Sequence, residues 1–137
     1  MKVIGFNFTK ISVEKLKESG GDFKIKTGIE VPEINQIKEN ILKGNEELIE
    51  AKFIYSVNYT PDIAKVELEG GIVFSLEPKL TKQILKDWKK KKLNEDFKYA
   101  LFNIISRKSS LKALELEDEM NLPLHISMPS FKKPQNE

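Results

Sequence analysis

Few side chains in this sequence of 137 residues are suited to acid–base, nucleophilic or metal chemistry. The absence of cysteine excludes disulfides, zinc–thiolate sites, iron–sulfur clusters and thiol nucleophiles. His125 is the single histidine, so a Ser-His-Asp triad would have to use it, and no carboxylate stands at a spacing that suggests a partner. Arg107 is the single arginine and the one candidate for bidentate recognition of a carboxylate or phosphate. This inventory argues against an enzyme, and we expect neither a cofactor nor a metal site.

Charged residues cluster at two places in the second half of the chain. The lysine run (Lys89–Lys92) could bind phosphate groups or an anionic membrane surface. Because the formal net charge is only +2, we interpret it as a solvated helix end and do not favour a nucleic-acid partner. Trp88 beside it is then a packing residue rather than a platform for a base. The second cluster could hold a hard cation, but we interpret it as an exposed helix face; it consists of Glu115, Glu117, Asp118 and Glu119.

The first half of the chain has the alternating pattern of strands. In residues 2–18 the apolar positions change parity near Thr9-Lys10, so a β-bulge there would place Ile4, Phe6, Phe8, Ile11 and Val13 on one face. Residues 19–22 predict a turn. A second strand alternates from Phe23 to Val31 and is closed by Pro32. Residues 33–46 fit either a short helix or an irregular link.

The strongest pattern is a long antiparallel hairpin over residues 49–76. Odd positions from Ile49 to Tyr59 and even positions from Ala64 to Leu76 are apolar, on either side of a turn at residues 60–62. Gly70-Gly71 interrupts the second arm, which indicates a bulge, a bend or a close backbone approach. Three apolar residues have the opposite parity and predict a contact between sheets or subunits on the outer face, namely Ile54, Ile63 and Val73.

After Pro78 the period becomes helical. A first stripe formed by Leu80, Ile84, Leu85 and Trp88 ends at the lysine run. Asn94 is a candidate N-cap for a second helix that reaches about residue 120, with Ser109-Ser110 as a break or a cap. In the C-terminal strap (residues 122–131) apolar residues alternate with other residues, and two of these are prolines, so we expect an extended segment.

Strands followed by helices predict a segregated α+β domain. We expect a four-stranded antiparallel sheet with two or three C-terminal helices packed on one face, forming a single domain over residues 1–131, and a disordered tail over residues 132–137. The apolar runs are far shorter than the roughly 20 residues that span a bilayer, so we expect no membrane insertion. The first residues lack the apolar region of a signal peptide, and we interpret the protein as cytoplasmic.

This order of elements resembles SecB, the protein-export chaperone, and its relatives. Residues 66–76 are similar to the family's strand in which a Val-Glu run leads to Gly and then Phe, and residues 8–14 are similar to its opening strand. Residues 105–107 and the C-terminal strap are similar to the family's helix end and its Leu-x-Leu…Pro…Phe segment. The chain departs from the family in having a longer segment between residues 107 and 122 and no last helix after Phe131.

The resemblance implies a SecB-like holdase that binds unfolded or non-native polypeptides without ATP, as a homo-oligomer that is a tetramer in the family. Apolar, aromatic-rich surfaces could bind such segments, although each hairpin residue also stands where a core residue is expected. The candidate polypeptide-binding residues are Phe53, Tyr55, Tyr59, Phe74, Leu122, Leu124, Ile126, Met128 and Phe131. The alternative is a nucleic-acid-binding or other non-catalytic interaction domain that uses the sheet or the lysine run.

Overall fold

The computed structural model describes residues 1–18, 21–38 and 44–135, and these ranges form four strands followed by two helices. The strands are antiparallel and lie in the order β1-β4-β3-β2, so that β1 and β2 are the edges of the sheet. The predicted α+β fold is confirmed. The elements are β1 (Lys2–Lys15), β2 (Lys24–Ile37), β3 (Glu47–Thr60), β4 (Ala64–Leu76), α1 (Pro78–Lys89) and α2 (Glu95–Glu119).

The predicted hairpin is the centre of the fold. Tyr59 pairs with Ala64 next to the turn, and the register continues without a shift to Glu47 opposite Leu76. The apolar side chains of both arms lie on the sheet face that is turned toward the two helices, and they form the buried core. Because β3 and β4 are the two inner strands, their backbone groups are paired on both sides. The apolar side chains of both strands on the face turned toward the helices are buried.

A close backbone approach explains Gly70, the first of the paired glycines. A Cβ atom on Gly70 would lie 2.3 Å from the carbonyl oxygen of Asn7 and 2.9 Å from the ring of Phe53. Opposite this position the register of β1 shifts between Phe8 and Lys10, so the predicted bulge is confirmed. The aromatic ring that lies over Gly70 thus replaces the side chain that the glycine lacks.

A second register shift, between Val3 and Gly5, corrects one expectation about β1. Val3 pairs with Phe74 and shares its face, whereas Ile4 is the additional residue and is exposed. The prediction that Ile4 lies on the same face as the apolar residues that follow it is therefore wrong. An extra residue reverses the alternation on one side of a bulge, and the sequence pattern contained only the later of the two shifts.

Strand β2 does not end at Pro32. It continues to Ile37 through a register shift between Glu30 and Glu33, which leaves the proline in the shift. Proline lacks an N–H group, and a bulge on an edge strand accommodates it without loss of a ladder hydrogen bond. Residues 33–37 are thus strand rather than helix or link, and Ile34 is buried. Residues 39–43 of the ambiguous segment and residues 19–20 of the predicted turn lie outside the described residues.

The helices follow the predicted stripes, with one difference. The Asn94 side chain accepts a hydrogen bond from the backbone N–H of Phe97 at 3.2 Å, as expected for an N-cap. Helix α2 continues through Ser109-Ser110 without the predicted break. Ser109 is buried, and a side chain of that size lets the helix approach the sheet closely.

The segment after α2 has no regular secondary structure as far as residue 135. Residues 132–135 are exposed, and residues 136–137 of the predicted tail lie outside the described residues. In the described ranges, neither helix combines the length and the apolar character that crossing a bilayer requires.

Candidate functional site

The four aromatic residues predicted to bind polypeptides lie in the core. Phe53, Tyr55, Tyr59 and Phe74 are at most 1% exposed. The helices and the C-terminal strap cover them; the rings of Phe74 and Phe97, for example, lie 5.0 Å apart. These residues present no surface to a ligand in this structure, and the alternative interpretation of them as core residues describes their placement.

Two of the three residues expected on the outer face lie there, and the third does not. The outer face is the sheet face turned away from the helices. Ile54 and Val73 lie on that face and are partly buried. Ile63 lies instead in the β3–β4 turn, is buried in the core, and its carbonyl accepts hydrogen bonds from the backbone of residues 16 and 17. Strand parity does not apply to a turn residue, so its expected position on the outer face is corrected. Val73 also borders a cavity of about 480 Å³ beside Gly71.

The C-terminal strap has two parts with different surroundings. Leu122 is buried against the core and Leu124 is partly buried. Beyond them the apolar side chains turn to solvent: Ile126 is 44% exposed, Met128 is 57% exposed and Phe131 is fully exposed. The strap is therefore anchored at its beginning and presents an apolar surface at its end.

A buried polar chain supplies the anchor. The His125 Nδ1 atom lies 2.9 Å and 2.8 Å from the two carboxylate oxygens of Glu117, and the backbone N–H of His125 donates to the same carboxylate at 2.9 Å. On the other side of the ring, Nε2 lies 2.9 Å from the Tyr55 hydroxyl, which is 3.0 Å from the Ser110 hydroxyl. The side chains of His125 and Glu117 are 2% and 0% exposed.

Glu117 was expected on an exposed helix face with its acidic neighbours, and that expectation is wrong. The sequence contained a signal for its burial, because the buried residues of α2 recur at every fourth position. Glu117 is the last member of that series, which consists of Phe97, Leu101, Ile105, Ser109, Ala113 and Glu117. An acidic residue on the buried side of a helix requires a hydrogen-bond donor, and the strap provides one.

Two tyrosines complete the attachment of the strap. Burial raises the pKa of Tyr55, and burial together with the charge of Glu117 raises the pKa of Tyr59. Both phenols therefore keep their protons at neutral pH, and the Tyr59 hydroxyl donates to the carbonyl of Pro123. The Glu-His-Tyr-Ser chain has residue types found in catalytic relays. However, both ring nitrogens of His125 lie within hydrogen-bond distance of other side chains, and the ring is closed off from solvent. We therefore interpret these four side chains as the attachment that holds the strap in place.

A second candidate site lies where α1, α2 and β2 meet. The lysine-rimmed pocket has a volume of about 430 Å³, and its lining residues are Val31, Trp88, Lys91, Lys92, Leu93, Lys98 and Phe102. The Lys91 Nζ atom is 4.9 Å from the centre of the Trp88 ring, and the Lys98 Nζ atom is 5.8 Å from that of Phe102. The sequence places Trp88 beside the lysine run, but Val31 and α2 join them only in the folded chain, so the pocket was not predicted.

The described residues do not meet the requirements of a metal site. Within residues 1–18, 21–38 and 44–135, no three histidine, aspartate or glutamate side chains converge on a point where a metal ion could be held.

Comparisons with known proteins give a likeness of fold. No family model and no curated protein sequence matches the chain. It is similar to a solved structure from Mycobacterium tuberculosis, the Rv1957 SecB-like chaperone in complex with a ChAD peptide from the Rv1956 HigA1 antitoxin, with a TM-score of 0.54 and 9% sequence identity. The similarity covers 94% of this chain and 89% of that chain. What the two chains share is the α+β fold of a SecB-like chaperone, a four-stranded antiparallel sheet followed by helices.

Proposed function

We propose that this protein binds unfolded or non-native polypeptide segments without nucleotide or cofactor, as a SecB-like holdase. One observation carries the proposal: the strap is held by a buried polar chain, yet its last apolar side chains, Ile126, Met128 and Phe131, are exposed. Exposed apolar residues on a fixed segment form a surface that gains free energy by covering the apolar side chains of another chain.

The chemistry of the strap suits an extended client. Its backbone beyond residue 125 is in no helix or strand, so its N–H and C=O groups can pair with an extended segment. Met128 adds an unbranched, polarizable side chain that adapts to different partners. The likeness to a SecB-like chaperone in complex with a peptide supports a polypeptide as the ligand.

An oligomer is part of the proposal. Strands β1 and β2 are the edges of the sheet, and their outer backbone groups are available to a second copy. The apolar side chains of Ile54 and Val73 on the outer face favour a further contact between copies. By the family resemblance we propose a homo-tetramer.

The test is suppression of aggregation. A denatured model protein is diluted into buffer without nucleotide, and light scattering is recorded with the wild-type chain, with Ile126→Asp/Met128→Asp, and with Leu111→Asp. Leu111 is an exposed leucine on α2 and serves as the matched control. Each strap substitution removes burial worth about 1–2 kcal/mol, or about 2–4 kcal/mol for both. The double variant should therefore lose roughly thirty- to several-hundredfold in affinity, while the control keeps it.

Two results would overturn parts of the proposal. Full suppression by the double variant, with an unchanged circular dichroism spectrum, would exclude the strap as the binding surface. No suppression by folded wild-type protein at a severalfold molar excess would exclude the holdase function.

A further inference from the structure

We infer that the lysine-rimmed pocket is a second docking site, and that it selects peptide segments in which an aromatic or branched aliphatic side chain is flanked by aspartate or glutamate. This inference rests on the proposed binding of polypeptides and names a class of segment that the chain prefers.

The floor of the pocket is apolar and comes from separate elements. Val31 belongs to β2, Trp88 to α1, Leu93 to the connection between the helices, and Phe102 to α2. All four are partly buried and pack against the core. A floor supported in this way keeps its shape, and the volume of the pocket, about 430 Å³, is within the range of ligand-binding clefts.

The rim carries positive charge. Among the described residues, no carboxylate lies within 4.0 Å of the ammonium groups of Lys91, Lys92 or Lys98. The rings of the floor hold two of these groups at the mouth of the pocket through cation–π contacts, at Trp88 and at Phe102. Two of the three ammonium groups are therefore held beside an apolar cavity by aromatic rings, and none of the three has a carboxylate partner among the described residues.

Acidic residues close to the pocket in sequence do not cancel this charge. Glu95 and Asp96 occupy the first turn of α2, where the helix dipole favours a carboxylate, and both are exposed. The Asp87 carboxylate accepts a hydrogen bond from Gln83 on the exposed side of α1. Five lysines between residues 89 and 98 outnumber these three carboxylates.

An apolar floor with a lysine rim favours a peptide over a nucleic acid. Nucleic-acid affinity grows with the number of neutralised phosphates, and the rim has only three lysines on a chain with a net charge of +2. A phosphate backbone lying on the rim would also leave the apolar floor uncovered. A segment with one large apolar side chain and flanking carboxylates satisfies both features, because the side chain fills the cavity while the carboxylates meet the lysines.

Trp88 is the single tryptophan, so its fluorescence reports on this pocket directly. The probes are three synthetic hexapeptides with a central Phe-Leu pair, flanked on each side by two residues that are all acidic, all serine or all lysine. We expect the acidic peptide to shift the Trp88 emission and to bind at least tenfold more tightly than the lysine peptide, with a preference that decreases as salt is added.

Variants separate the rim from general charge effects. Lys91→Gln/Lys98→Gln should weaken binding of a dye-labelled acidic peptide about three- to tenfold, measured by anisotropy. The control Lys26→Gln removes a lysine of β2 that pairs with Asn58 on the outer face, and should leave affinity unchanged. Equal binding of all three peptides would overturn the inference, as would an emission shift produced only by single-stranded poly(U) or by anionic vesicles.

The outcomes distinguish this inference from the proposed holdase function. Aggregation suppression that depends on the strap, without a preference for acidic peptides, would leave the holdase function in place and remove the pocket. A clear acidic preference in a chain that suppresses no aggregation would support the pocket and overturn the holdase function.

Discussion

Replacing His125 with alanine tests whether the buried polar chain fixes the strap to the rest of the fold. In the variant, the Glu117 carboxylate loses the imidazole Nδ1 atom at 2.8–2.9 Å and keeps only the backbone N–H of residue 125. The Tyr55 hydroxyl loses Nε2 and keeps the hydroxyl of Ser110. A carboxylate with no exposed surface is left with one donor.

The expected cost follows from these contacts. A lost hydrogen bond to a buried charged group costs about 1.5–3 kcal/mol, and the lost contact to a tyrosine hydroxyl about 1 kcal/mol. The space left by the ring adds to both, so we expect His125→Ala to lower the free energy of unfolding by about 3–5 kcal/mol, as for one partner of a buried pair. Glu117→Gln keeps an acceptor oxygen of the same shape and should cost only about 1–2 kcal/mol.

Urea unfolding measures the difference. With a slope of about 2 kcal/mol per molar urea, the midpoint for His125→Ala should fall by roughly 1.5–2.5 M. The double variant His125→Ala/Glu117→Ala should be destabilised by less than the sum of the two single variants, with a coupling free energy of about 1–3 kcal/mol. A cost below about 1 kcal/mol for His125→Ala, together with additive effects in the double variant, would refute the anchoring role.

Two further predictions concern the sheet. Gly70→Ala should cost about 1–3 kcal/mol, because its Cβ would meet the backbone of β1. At Gly71 the nearest atom is the flexible end of a glutamate side chain, so Gly71→Ala should change the stability by no more than about 0.5 kcal/mol. Equal thermal midpoints for the two variants would contradict this. Hydrogen bonds from Lys10 and then Lys65 lower the pKa of Glu67, so its stabilisation is present above the unfolded pKa near 4.5 and is lost as pH falls through the folded value. Glu67→Gln should thus be less stable than wild type at pH 7 and equal to it at about pH 2, and a difference that persists at low pH would count against the ion pairs.

The architecture was predictable where one physical requirement decided the pattern. Both hairpin arms have a single buried face, so alternation located them, and the parity change near Thr9 located a bulge. Alternation failed at Pro32, because an edge strand tolerates a missing N–H group. The expected exposure of Glu117 was wrong for a different reason: a charged residue is expected on the surface, and the donor that satisfies this carboxylate lies in another segment.

The candidate sites were less predictable than the fold. A groove for unfolded chains and a protein core both require apolar side chains, so parity could not tell whether Tyr55 or Phe74 would be covered. The sequence shows the end of the strap as an apolar segment. Whether its side chains are exposed depends on what packs against them, which the pattern does not show. The lysine-rimmed pocket joins Val31 to Trp88, and residues so distant in sequence come together only through the sheet order.

The pairing of β1 with β4 has a consequence for the order of folding. β3 and β4 are joined by a short turn, so their hairpin closes a small loop. β1 pairs with residues about 50 to 70 positions further along the chain, and a long loop must close before any of its contacts form. We therefore expect the hairpin to form in the folding transition state and β1 to join afterwards, with the edge of β4 open until then. A chain proposed to shield unfolded proteins thus passes through a stage in which its own sheet edge is open to pairing with another chain.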